Sequence, residues 1–189
     1  MTLRVIEEGP EALEAYATVP IRFMVGVRYL VSSPKDGTGE IALTEELVHP
    51  SYEYDYDLFD HPTCWRQWDL SSWGFLAAFD GTTRVGGAAI AFRTPGLELL
   101  AGRDDLASLW DIRVRHGCRG NGTGALLFAA AKAWAWKHGA REMKIETQDI
   151  NVPACRFYAK QGCRLAVAIP GAYERHPHQV QLFWSTRLP

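Results

Sequence analysis

At 189 residues, the chain suits a single domain with a core large enough to fold unaided. Its 47% hydrophobic and 22% charged residues are those of a globular protein, which excludes a disordered tail or a coiled coil as the main content. A formal net charge of -2 lacks the basic footprint of a nucleic-acid binder.

No apolar run approaches the roughly 18–20 residues that span a bilayer. The N-terminal stretch Met1 to Glu8 turns acidic at once and lacks the apolar region of a secretory signal, so a cytosolic protein without membrane attachment is expected. Cys64, Cys118, Cys155 and Cys163 form no CxxC pair and are expected to be free thiols in a reducing compartment. His176 and His178 stand two apart with no further ligands close by, and read as part of a polar loop rather than a metal site.

In chain order, Glu11 to Ala17 reads as a short helix, and Val19 to Val31 fits helix or strand. Ser33 to Gly39 carries the chemistry of a loop. Ser51 to Asp60 interleaves acidic and aromatic side chains. Trp73 to Phe79 reads as a strand that turns at Asp80-Gly81 into a second strand, Val85 to Phe92. Ala107 to Val114 is a third strand; simple alternation puts Leu109, Asp111 and Arg113 on one face and Trp110, Ile112 and Val114 on the other. Ala125 to His138 is rich in Ala, Leu and Trp and reads as a helix stopped by Gly139. Glu142 to Thr147 is a short strand. Pro153 opens a second helix that runs to about Gln161, and Gly162 closes it. Leu165 to Ile169 and Gln179 to Trp184 are final strands. A meander followed by β-α-β-α-β defines an α/β or α+β fold with a mixed sheet.

Between the third strand and the first long helix stands Arg119-Gly120-Asn121-Gly122-Thr123-Gly124. Glycines let the backbone approach a ligand, and the free N–H groups of the helix's first turn favour an anion there. Arg119 adds a charge with bidentate geometry for phosphate. A P-loop needs Lys and then Ser or Thr after its last glycine, and here Ala125-Leu126 follow. A dinucleotide fold needs GxGxxG early in a βαβ series, whereas this loop is GxGxG and comes late.

The loop matches the R/Q-x-x-G-x-G/A pattern of the GNAT acetyltransferases. Downstream, Asn151-Val152-Pro153-Ala154-Cys155-Arg156-Phe157-Tyr158-Ala159-Lys160-Gln161-Gly162 resembles that family's N-x-x-A-x-x-F-Y-x-K-x-G signature. The resemblance covers Trp110 to Cys163. Within it, Trp110 to Val114 and Lys144 to Tyr158 look most like streptothricin acetyltransferases. It implies one GNAT domain over 1–189, with an acceptor-side part at 1–72 and an acetyl-CoA-binding core at 73–189. Its fold would be a mixed, mostly antiparallel sheet flanked by helices, with splayed central strands holding acetyl-CoA. A strand bulge is the expected origin of the splay.

The resemblance also implies roles. Ile112, Arg113 and Val114 would meet the pantetheine, Ile112 and Val114 through their main chains. Arg119, Gly120, Asn121, Gly122, Thr123 and Gly124 would hold the pyrophosphate, and Asn151 the pantetheine arm. Arg156 or Lys160 would reach the 3′-phosphate, unless each belongs to a solvated helix face. Tyr158 would protonate the thiolate leaving group. Glu146, Asp111 or an ordered water would take the proton of the attacking amine, and a backbone N–H near Val114 would face the oxyanion. No metal is implied.

The interleaved stretch at 51–60, with Tyr54 and Asp55, and the pair Trp110 and Asp111 are the candidates for a cationic acceptor. A streptothricin-like small amine heads the readings. A peptide amine acceptor, a non-catalytic acyl-CoA sensor and a module that binds another nucleotide are the rivals. The family often dimerises, and the strand Gln179 to Trp184 is the candidate contact.

Overall fold

The turn at Asp80-Gly81 closes as its sequence dictates, with Gly81 at a φ of 58° and Asp80 paired with Thr83. The computed structural model describes residues 2–32 and 40–189, and the loop expected at Ser33 to Gly39 lies outside the described residues. The strands are β1 (Leu3–Glu8), β2 (Phe23–Ser32), β3 (Ala42–Tyr54), β4 (Gly74–Asp80), β5 (Thr83–Phe92), β6 (Leu106–Val114), β7 (Glu142–Gln148), β8 (Arg164–Pro170) and β9 (Val180–Arg187). The helices are α1 (Leu13–Ala17), α2 (Thr123–Lys137) and α3 (Val152–Lys160), with short 3-10 helices between some elements. The chain forms two compact units: Met1–Arg22 with Asp55–Met143 and Arg187–Pro189, and Phe23–Tyr54 with Lys144–Thr186.

In the first unit, β1, β4, β5 and β6 pair in that order, all antiparallel. The residues from Val85 to Phe92 of β5 are all buried, which is why that strand reads as a continuous apolar run rather than an alternating one. One face carries α1 and the turn at Pro62–Gln67, with Leu13, Tyr16, Trp65, Trp73, Phe75, Ala89 and Ala91 in one cluster. Gly87 leaves room for Tyr16 there: a Cβ at that position would stand 2.5 Å from the Tyr16 ring. The other face carries α2, which buries Leu127, Phe128, Ala131, Trp134 and Ala135 at helical spacing. The Trp134 indole donates to Glu7 Oε1 at 2.7 Å and stacks on His138.

In the second unit, β2 and β3 form an antiparallel hairpin, and β7, β9 and β8 are neighbours in that order. The register jumps from Val25 opposite Tyr52 to Val27 opposite Leu47, so three more residues pass on β3 than on β2 and the segment Val48 to Ser51 loops out. Met143, Ile145 and Thr147 are buried along β7, while Lys144, Glu146 and Gln148 stand on its other face. The strand alternative at Val19 to Val31 is the one adopted, as β2. The first residues of the 51–60 stretch belong to β3, a strand with no buried residue and therefore no core pattern to announce it. Among the described residues no helix is long and apolar enough to cross a membrane, and no three residues could hold a metal ion. All four cysteines are free.

Candidate active site

The register of β6 decides the first half of the site. Ala89 pairs with Asp111 and Ile90 with Leu109, which leaves Trp110 as the extra residue of a β-bulge. Simple alternation would separate Trp110 from Asp111, but the bulge sends both to the face covered by α1. Trp110 lies 5.3 Å from the Trp73 ring, and the Tyr16 hydroxyl donates to Asp111 Oδ1 at 2.5 Å.

Arg113 follows Asp111 on that face and is fully buried. Its Nε and Nη2 donate to Asp111 Oδ1 and Oδ2 at 2.9 and 2.8 Å, and its Nη1 donates to the Val19 carbonyl at 3.0 Å. Asp57 Oδ1 lies 3.1 Å from Nη2, and the guanidinium sits over the Tyr16 ring. Desolvation opposes the charge, but Asp111 and Asp57 outweigh it and hold Arg113 above its usual range. Burial and the Asp111 charge push the Tyr16 phenol well above its ordinary value. The Arg113 side chain is thus held by Asp111, Asp57 and the Val19 carbonyl, and Asp111 is its bidentate partner.

Asp60 Oδ2 accepts from the Trp110 indole at 3.1 Å. Burial, with repulsion from Asp111, pushes its carboxyl up to about 6, against the nearby Trp65 and Trp110 indoles and Arg113, which favour the charged form. Asp55 caps the turn at Tyr56–Leu58 by accepting from the Asp57 N–H at 3.0 Å. Tyr54, its chain neighbour, belongs to the other unit, where its ring meets Phe23 and His176.

Past Val114 comes the one-turn helix His116–Cys118, then the glycine loop. Gly120 and Gly122 adopt φ of 81° and 83°, which side-chain-bearing residues rarely take. Gly122 is the N-cap of α2 and supplies no side chain, so the first N–H groups of α2 carry no side-chain cap. A Cβ at Gly117, Gly120 or Gly122 would meet nothing within 4 Å, and the buried Thr123 Oγ1 has no hydrogen-bond partner among the described residues. Asn121 is exposed at the tip of the loop. This open, donor-rich cradle fits a pyrophosphate. Arg119 Nε donates to Val114 O at 3.0 Å and Nη2 to Arg22 O at 3.2 Å, so its side chain fastens the loop to the end of β6.

In the second unit, Asn151 caps α3, its Oδ1 accepting from the Ala154 N–H at 3.1 Å. Tyr158 lies on the buried face of α3 with Val152 and Cys155, and its ring meets Phe157 and Trp184. Burial pushes the Cys155 thiol up to about 12, which leaves it inert as a nucleophile at neutral pH. Arg156 pairs with Glu45, both largely exposed. Glu146 accepts from the Tyr173 hydroxyl at 2.8 Å, and that hydroxyl accepts from Gln148 Nε2 at 3.1 Å. Tyr16, Asp60 and Tyr173 are the residues that sequence reasoning did not single out. Asp60 falls inside the acidic-aromatic stretch, but nothing local marks Tyr16 or Tyr173.

A bulged strand, an open glycine turn and an uncapped helix N-terminus define an α/β fold built to receive a phosphate-bearing ligand. The sequence profile of the acetyltransferase (GNAT) family matches residues 41–163, and the chain belongs to that family. It is 36% identical over 91 residues to a streptothricin acetyltransferase of Escherichia coli, covering 47% of this chain and 52% of that one. It is 33% identical over 92 residues to streptothricin acetyltransferase A of Bacillus subtilis (strain 168), covering 44% and 53%. The matches thus span about half the length of these curated relatives. The fold is shared with nourseothricin acetyltransferase (TM-score 0.77, 21% identity, all of both chains). It is also shared with a Bacillus anthracis str. Ames protein in complex with acetyl coenzyme A (TM-score 0.78, 24% identity, 98% and 99% of the chains).

Proposed function

We propose that the protein is an N-acetyltransferase that moves the acetyl group of acetyl-CoA to a primary amine of a streptothricin-like cationic small molecule, within a ternary complex in the cytosol. The observation that carries this reading is the open cradle of Gly120 to Gly124 at the uncapped start of α2. The local identity to streptothricin acetyltransferases supports the acceptor class.

In this reading the loop N–H groups bind the pyrophosphate, and the main chains of Ile112 and Val114 hold the pantetheine. The amine loses a proton to Glu146 and attacks the thioester carbonyl. A backbone N–H near Val114 stabilises the oxyanion. The C–S bond then breaks, and the thiolate takes the Tyr158 proton. Asn151 holds the start of α3, and with it Tyr158, through its cap. Trp110 and Asp60 offer the acceptor an aromatic face and a carboxylate, with Asp57 and Asp111 adding negative charge behind them.

The test is thiol release from acetyl-CoA with streptothricin, aminoglycosides, polyamines, amino acids and peptides. Selective turnover of streptothricin is expected. Turnover of peptides alone would keep the reaction and replace the acceptor. Absence of both turnover and acetyl-CoA binding would overturn the reading.

A further inference from the structure

The β7 face that carries Glu146 also carries Gln148, two residues on, and a single hydroxyl from the segment between β8 and β9 joins them. The direction of that bridge is fixed. The Gln148 amide can only donate to the Tyr173 oxygen, so the phenolic proton is left to point at Glu146 Oε1. Among the described residues Glu146 Oε2 takes no hydrogen bond, and the residue is half-buried rather than sealed. One carboxylate oxygen is thus tethered and the other is open.

Building on the proposed role of Glu146 as base, we propose that Tyr173 is its positioning residue: the Tyr173 hydroxyl, oriented by Gln148, holds Oε1 so that Oε2 accepts the proton of the acceptor ammonium. A carboxylate on a strand side chain has free rotation about its last bonds, and a single tether removes much of it. In the step, the ammonium N–H breaks, the proton passes to Oε2, and the nitrogen lone pair is released for attack on the acetyl carbon. Tyr173 keeps its own proton throughout.

The experiment uses the full chain with acetyl-CoA and the best amine of the panel, and compares wild type, Tyr173→Phe, Glu146→Gln and the double variant. Thermal melting and acetyl-CoA affinity check that each variant is folded. Tyr173→Phe is expected to lower kcat about tenfold and to leave KM for acetyl-CoA unchanged. On the Glu146→Gln background the same substitution is expected to change nothing, because the group it positions is gone. A slow Glu146→Gln enzyme beside a Tyr173→Phe enzyme with wild-type kcat would overturn the positioning role alone. A Glu146→Gln enzyme with wild-type kcat would remove the base assignment and this inference with it.

Discussion

Arg113 grips Asp111, two positions before it on the same strand, through two parallel hydrogen bonds of 2.9 and 2.8 Å. The guanidinium is fully buried, and Asp57 and the Val19 carbonyl complete its partners from elements far away in sequence. The consequence is a strand whose bulged segment is clamped from the side opposite α2.

Removal of that cation leaves two partly buried carboxylates without their shared partner. Arg113→Met is expected to lower unfolding free energy by about 3–5 kcal/mol. Arg113→Lys is expected to recover only a fraction, since an ammonium cannot reproduce the planar fork. Urea denaturation of the three proteins checks both statements.

Asp60 makes stability depend on pH. Its carboxyl is raised from 3.8 to about 6 in the folded protein, so folding favours the protonated form. That contribution is full below about 4 and is lost as pH rises through about 6, a swing of about 3 kcal/mol. Asp60→Asn removes the swing. The variant is expected to gain stability relative to wild type between pH 4.5 and pH 8. An unchanged difference between those two pH values would show that Asp60 is ionised as freely in the fold as in the unfolded chain.

Gly122 caps α2 with a φ of 83°, and a Cβ added there meets no protein atom. Gly122→Ala therefore costs only about 1–2 kcal/mol of backbone strain, while its methyl group projects into the space assigned to the pyrophosphate. Calorimetric titration with acetyl-CoA is expected to show a Kd at least about tenfold weaker, about 1.4 kcal/mol. Wild-type affinity would take the pyrophosphate away from this loop.

Tyr158→Phe keeps the ring that packs near Trp184 and Phe157 and deletes only the hydroxyl. Turnover is expected to fall about a hundredfold with acetyl-CoA affinity unchanged. Steady-state kinetics with equilibrium binding separate the two, and wild-type turnover would end the assignment of Tyr158 as the acid.

The sequence by itself determined the order of strands and helices from β4 to β9, and the glycine loop between β6 and α2. Those features rest on local causes: apolar periodicity, turn glycines, and a helix start with no capping side chain. It did not reveal β3, because no residue of that strand is buried. It also misjudged the faces of β6. A bulge depends on how the partner strand is registered, and here it puts Trp110 and Asp111 side by side. The partners that hold Asp111, Arg113 and Glu146 are Tyr16, Val19, Asp57 and Tyr173. Tyr16, Val19 and Asp57 stand 56 to 95 residues away from the groups they bind, and Tyr173 stands 27 away. Only the tertiary structure decides such pairings, since burial and charge at a side chain are set by the elements that pack on it and not by its neighbours in the chain.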